Sequence, residues 1–249
     1  MKKLIQKVSG HAQVHRDMLK GNREQTTLSE QEAGQIIKRI DLVLEQLPRA
    51  VYQAHERIIG ERQVDNSKKI LSLYEREIHV MVRGKAGAES EFGNTLLIGE
   101  QADGVILDWK LYQEQAPADM KLLPESLERI ERYYHSGPGS VTGDRGFDSA
   151  DNRGYLESNA IENNICPKSV EALREKLRDA SFYEKQKRRG QTEGRIGIVK
   201  NVFLGSPLRS KGFCSRQMSV AWAVLSHNLW VIARLPQAKQ QDQEQQQAA

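Results

Sequence analysis

Ser140-Val141-Thr142-Gly143-Asp144-Arg145-Gly146-Phe147 reads as a short strand that runs into a turn, with an acid at the strand's C-terminal end and a glycine on either side. Open α/β sheets put ligand-binding side chains at that end of a strand. A turn-forming or helix-capping aspartate is the competing reading. On the C-terminal side, a brief helix spans Ala150 to Ser158, and the apolar step Ile161 to Cys166 reads as a second strand. On the N-terminal side, Pro117 and Asp119 introduce a helix with apolar positions Leu122, Leu123, Leu127 and Ile130, closed by Ser136-Gly137-Pro138-Gly139. Earlier still, Phe92 to Ile98 and Val105 to Tyr112 read as strands around the turn Ala102-Asp103-Gly104. Ile78 to Val82 reads as another strand, followed by a glycine-rich link at Gly84 and Gly87. Antiparallel strands, a helix, an acid-bearing strand, a further strand and long helices describe an α/β domain.

Both flanks are helical. Ser29 and Glu32 have capping-box spacing, and Ile36, Ile37, Ile40, Val43, Leu44 and Leu47 follow at helical intervals. Pro48 is expected to kink or end that helix, with Val51 to Ile59 forming another. Val170 to Lys200 has helical propensity weakened by Gly190, Gly194 and Gly197. Ser215 to Leu235 reads as a buried closing helix carrying Trp222, Leu225, Leu229, Trp230 and Ile232, and the Gln-rich residues 236–249 as a disordered tail.

The 249 residues carry a net charge of +4, with 38% apolar and 28% charged residues, which is globular composition. No apolar run is long enough to span a membrane. Cys166 and Cys214 fit a reducing compartment rather than a disulfide framework. Several motifs are incomplete. His11 and His15 have metal-ligand spacing, but Ala12 stands where a zinc protease needs glutamate. Gly137-Pro138-Gly139 with Gly143 precedes its strand instead of following it, so it is no dinucleotide fingerprint. Gly84-Lys85 lacks the following Ser or Thr of a phosphate loop. The excess charge is concentrated instead. Lys185, Lys187, Arg188, Arg189, Arg195, Lys200, Arg209, Lys211 and Arg216 lie in one tract whose only acid is Glu193. Phosphodiester chemistry explains such a tract: cations hold a polyanionic backbone while the acid carries a divalent metal. A solvated or generic nucleic-acid-binding face is the blander alternative.

At these residues the chain resembles bacterial insertion-sequence DDE transposases. Arg189, Glu193 and Lys200 match the R-x3-E-x6-K core of their signature, and Gly143 to Phe147 resembles their second-aspartate block. Val82 to Gly87, Phe92-Gly93-Asn94 and Trp222 to Trp230 also resemble members, so that the likeness runs from about Asn66 to Leu235. The resemblance implies an α/β, ribonuclease-H-like mixed sheet flanked by helices, with an N-terminal helical segment at 1–62, a catalytic domain at 63–235 and the tail at 236–249. It implies that Asp144 and Glu193 are catalytic and bind Mg2+ (or Mn2+), and that Arg189, Lys200, Arg188 and Arg195 contact DNA. With 193–200 helical, Glu193 and Lys200 lie about 10 Å apart along the axis on nearly one face. The expected partners are transposon-end and target DNA and, on DNA, further copies of the chain, with no membrane and no small-molecule cofactor. The expected location is the bacterial cytoplasm, at the nucleoid.

Two departures accompany the likeness. Gln186 stands where the signature often has tyrosine, with Tyr183 out of register. No acid sits on an early strand: Asp65 follows a polar turn, Asp17 and Asp41 lie in helical patterns, and Asp108 falls on a strand that should come after the first acid's. The expectation is therefore a C-terminal transposase part lacking its first strand and first catalytic aspartate, of uncertain activity as an enzyme. A non-catalytic DNA-binding remnant and a ribonuclease-H-like nuclease that cuts without joining are the alternatives.

Overall fold

Glu32, three residues after Ser29, closes a reciprocal cap. The Ser29 amide donates to Glu32 Oε2 at 2.9 Å and the Glu32 amide to Ser29 Oγ at 3.3 Å. That cap opens α2 (Glu30–Ile58), which packs against α1 (Lys2–Gly21). The computed structural model describes residues 2–85, 88–205 and 207–247, with side chains at 3–81, 91–205 and 207–235. The chain divides into two units, 1–93 and 94–249.

In the first unit, Arg16 on α1 reaches Asp41 on α2 at 3.1 Å, and Lys20 reaches it at 3.6 Å. The acids in these helical patterns are surface ion-pair partners. Pro48 neither ends nor splits α2, which runs through it. Proline removes one amide donor, and the remaining bonds of so long a helix carry the element past the gap. β1 (His79–Lys85) and β2 (Ala88–Gly93) pair antiparallel, with Val80 opposite Phe92. The glycine-rich link reaches residues 86 and 87, which lie outside the described residues; Gly84 itself belongs to β1. The strand expected over Phe92 to Ile98 is interrupted at Asn94-Thr95, because Gly93 takes φ +152° and the chain changes partner there.

In the second unit, β3 (Leu96–Glu100) and β4 (Ile106–Leu111) form an antiparallel hairpin around the Ala102-Asp103-Gly104 turn. α3 (Asp119–Tyr134) follows, then β5 (Ser140–Gly143), α4 (Ala150–Ser158) and β6 (Glu162–Ile165), the two strands being parallel. α5 (Val170–Lys176) and α6 (Ala180–Ile198) follow, the latter widening into a π-helical turn at Val199–Leu204. α7 (Phe213–Gln247) closes the unit. The chain is thus mixed α/β, and its described strands pair as three two-stranded ladders.

Two cores hold the second unit. Leu123, Leu127, Leu156 and Ile165 join α3 and α4 to β6, while Ile106, Leu111, Val199, Val220, Ala223 and Val224 join β4 to α7 and the end of α6. Asn228 of α7 donates its side-chain amide to Ile106 O at 2.8 Å and accepts from Ile106 N at 2.9 Å, fixing the helix to the start of β4. α7 buries a different face from the one expected. Val220, Ala223, Val224, His227 and Val231 face inward and Trp230 is half-buried against Phe203 and His227, whereas Trp222 (62% exposed), Leu225, Leu229 and Ile232 face out. Both stripes are apolar, so periodicity does not choose between them; the narrower Val and Ala side lets the helix sit closer to β4. The α7 backbone also continues through most of the glutamine-rich stretch expected as a disordered tail, in keeping with the helix propensity of Gln and Ala.

Candidate functional site

Asp144 leaves the C-terminal end of β5 and caps a 3-10 turn at Arg145–Phe147, its Oδ1 accepting from the Gly146 amide at 2.8 Å. The capping reading of this aspartate and the strand-end reading both describe it. Its carboxylate is exposed, and that amide is its one hydrogen-bond donor among the described residues. A Cβ at Gly146 would lie 2.9 Å from Asp144 Oδ1 and 2.7 Å from Asp119 Oδ2, so the carboxylates would have to shift to admit one. Two carboxylates, one from the β5 turn and one from the start of α3, thus approach a single point beside a residue without a side chain. Nothing in the sequence pairs Asp119 with Asp144, because 25 residues and a whole helix separate them.

The turn is held from behind. The buried Asp148 carboxylate accepts from the Lys168 amide at 2.9 Å and pairs with Arg153, and Asn152 donates to the Phe147 carbonyl at 2.7 Å. Burial of Asp148 opposes its ionisation, but the Lys168 amide and the Arg153 guanidinium more than offset it and hold the carboxyl below the usual aspartate range.

Gln186 is a position whose importance sequence reasoning misses. Its side-chain amide donates to Asn164 O at 2.7 Å and Gly143 O at 3.4 Å, so α6 is tied to the last residues of β6 and β5, one step from Asp144. Its Oε1 accepts from Arg189 Nε at 3.2 Å, and Arg189 Nη1 lies 3.6 Å from Glu193 Oε1. Positions 186, 189 and 193 share one helical stripe. A continuous polar line therefore runs from the end of β5 to Glu193, whose side chain is 74% exposed. Where the signature often has tyrosine, a glutamine supplies the strand-end hydrogen bonds.

The basic residues divide. Arg189 lies along that line. Lys200 is exposed, but in the π-helical turn that follows α6 and not in a continuing α-helix, so its rotation relative to Glu193 departs from the expected regular spacing. Arg188 and Arg195 face the β3–β4 hairpin: Arg188 lies 3.5 Å and Arg195 3.4 Å from the Glu100 carboxylate, and Arg188 also donates to Gln101 O at 2.9 Å. Thr192 Oγ1 donates to Glu100 Oε1 at 2.6 Å. Glu100, with its side chain 6% exposed, carries no mark in the sequence; its partners lie about ninety residues away.

The other acids weighed for the site are engaged. Asp108 takes a two-pronged bond from Arg129 at 2.8 and 2.7 Å and another from Ser126 at 2.6 Å. Asp65 caps a short turn through Ser67, and Asp17 pairs with Arg16. His11 and His15 are exposed on α1. Among the described residues, no group of three or more His, Cys, Asp or Glu side chains is placed to hold a metal ion. No helix among them is long and apolar enough to cross a membrane.

The family model of the transposase DDE domain matches residues 84–229, more than half of the chain and the whole stretch from the β3–β4 hairpin through Asp144 and Glu193 to Asn228. The chain belongs to this transposase family. Transposases act on DNA, and members of the DDE class generally use divalent metal ions. No curated protein and no solved structure matches the chain.

Proposed function

We propose that this chain carries the catalytic part of a DDE transposase, which binds element-end DNA and catalyses metal-dependent phosphodiester cleavage and strand transfer. The observation that carries this reading is the Gln186–Arg189–Glu193 line, which begins at the strand end bearing Asp144. In this reading residues 63–235 are the catalytic body, with the β3–β4 and β5–β6 ladders as two parts of a ribonuclease-H-like sheet, and residues 1–62 are a helical addition. The protein would work in the bacterial nucleoid, as a homo-oligomer on DNA.

In this reading Asp144 and Glu193 would hold a hard divalent cation. Both present exposed carboxylate oxygens, and Mg2+ needs only one or two protein carboxylates while retaining several waters. Bound there, Mg2+ or Mn2+ supplies a lowered pKa to the attacking hydroxyl and charge stabilisation to the leaving oxygen. The chain's own residues do the positioning. The Gly146 amide holds Asp144 Oδ1 and so orients the carboxylate. Arg189 limits the rotamers of Glu193 and lowers the cost of a negative charge beside DNA. Lys200 offers an exposed cation to a backbone phosphate.

The test is cleavage of a supercoiled plasmid bearing the element's ends, with Mg2+, by the chain and by Glu193→Ala and Asp144→Ala. Cutting that falls by about 100-fold or more in both variants supports the proposal; cutting unaffected by either rejects the site. A second reading, a DNA-binding remnant that does not cut, is favoured by one observation. Asp108, the strand acid nearest to the role of a further ligand, is fully engaged by Arg129 and Ser126. Salt-sensitive binding without cutting would support it. Cutting without joining of pre-cut ends would point to a nuclease.

A further inference from the structure

We propose that Glu100, together with Arg188, Thr192 and Arg195, is a clasp that sets the rotation of α6 and thereby the direction in which Glu193 is presented. Arg188 and Arg195 then serve the protein and not the DNA. The inference rests on the reading of Glu193 as a catalytic acid, and it makes Glu100 a positioning residue.

The need for a clasp follows from the helix itself. Phe182, the buried side chain of α6, lies near the helix start. The half that carries Glu193 contains Gly190, Gly194 and Gly197, and among the described residues nothing besides the helix's own nearby backbone and the adjoining residues lies within 4 Å of where their Cβ atoms would be. Packing does not require these glycines, and each of them softens the helix. Apolar burial in this half is only partial, at Ile196 and Ile198, until Val199, which is 1% exposed.

The polar contacts supply what packing does not. Residues 188, 192 and 195 fall at helical positions i, i+4 and i+7, forming one stripe, and all three converge on the Glu100 carboxylate at the end of β3. Glu193 is the next residue after Thr192, about 100° round the helix. Holding the Thr192 stripe inward thus turns Glu193 outward, to the side where Arg189 and Gln186 connect it to β5. The hairpin turn is shaped to receive the clasp. Gly104 has φ +96°, and a Cβ on it would collide with Arg195 Nη1, so the guanidinium occupies the space a side chain would need. Gln101, two residues after β3's Gly99, offers its carbonyl to Arg188.

Two guanidinium groups drawn to a nearly buried carboxylate are poorly available to phosphate. That separates the clasp from the DNA-binding role their sequence position implies. The salt dependence of DNA binding reads the difference, because removing one phosphate-binding cation reduces the steepness of log K against log salt by about 0.9.

The experiment uses the full chain with Arg188→Ala, Arg195→Ala, Lys200→Ala and Glu100→Gln. Amide hydrogen exchange is measured over 188–198, DNA binding is followed across a salt series, and Mn2+ is titrated into Glu100→Gln, Glu193→Ala and the double variant. The expected result is exchange about tenfold faster over 188–198 in Glu100→Gln and Arg195→Ala, with α3 and α7 unchanged. The salt slope should fall with Lys200→Ala and stay unchanged with Arg188→Ala and Arg195→Ala. Mn2+ affinity should fall in both single variants with no further loss in the double, since a residue acting only through Glu193 adds nothing once Glu193 is gone. Unaltered exchange, or a slope reduced by about one for each arginine removed, overturns the clasp. So does a Glu100→Gln chain that loosens α6 while binding Mn2+ as the unsubstituted chain does, which would leave Glu100 a purely structural role. A chain in which Glu193→Ala binds Mn2+ and cuts DNA normally defeats the catalytic reading of Glu193, while exchange and salt slope still decide whether Arg188 and Arg195 hold α6.

Discussion

The β3–β4 ladder and the turn that leaves β5 treat their acids in opposite ways, while Glu162 within β6 pairs with Lys185. Glu100 and Asp108 on the first are nearly buried and surrounded by donors: two arginines and a threonine for one, a two-pronged arginine and a serine for the other. Asp144, at the end of β5, is exposed and receives one backbone amide among the described residues. A carboxylate whose lone pairs are already filled by fixed cations has nothing to offer an exchangeable ligand, and removing it strands the charges around it. A carboxylate oriented by a single amide keeps its second oxygen for a ligand at small cost to the fold. Functional acids in this chain are therefore to be sought where saturation is lowest, not where burial is greatest.

The largest effect should fall on the saturated side. Asp108→Ala leaves the Arg129 guanidinium in place with its side chain 19% exposed, and should cost about 3–5 kcal/mol in urea unfolding. If it costs no more than Asp144→Ala, the contrast between the β3–β4 ladder and the β5 turn is wrong. Gly104→Ala should follow at about 2 kcal/mol, because alanine resists φ +96° and its methyl displaces the Arg195 guanidinium. A melting temperature unchanged in that variant would show that Arg195 relaxes without loss. Asp144→Ala should cost under about 1 kcal/mol, the loss of one cap on a short turn, and, in the proposed catalytic role, should remove the metal-dependent cutting. A large loss of stability there would class Asp144 with Glu100.

The smallest effect concerns pH, and it places a saturated acid beside the unsaturated one. Asp148 has its carboxyl held below the ordinary aspartate range, with burial outweighed by the Lys168 amide and Arg153. It binds its proton less readily folded than unfolded, so its contribution is complete above about pH 4 and drains away as pH falls through its lower folded value. Asp148→Asn should flatten the acid limb of the stability curve, modestly because Arg153 is half exposed. An acid limb of unchanged slope in that variant would assign the sensitivity elsewhere.

Much of this is legible from local pattern. The helix at Ala150 to Ser158 and the strand before Asp144 form where the pattern places them, because capping residues and glycines mark their ends. What escapes depends on distance along the chain or on ambiguity within it. Glu100 reads as the last residue of a hairpin strand, and nothing near it announces partners on α6. Arg188 and Arg195 look like Lys200, since composition does not say which way a basic residue faces. The exposed stripe of Trp222, Leu225, Leu229 and Ile232 is apolar enough to pass for core, and only packing against β4 selects the other side. Asp119 and Asp144 both border the space beside Gly146, a relation that exists only in three dimensions.

The Asn228 side chain has a consequence for the solubility of the fold. A primary amide that both donates to and accepts from Ile106 copies one rung of a β-ladder without being a strand. An open strand margin with unpaired amides and carbonyls invites pairing with any other extended chain, and proteins commonly blunt it with charge, proline or a bulge. Here a helix side chain fills the first rung of β4, so a stray strand seeking to zip on from that end meets a position already taken.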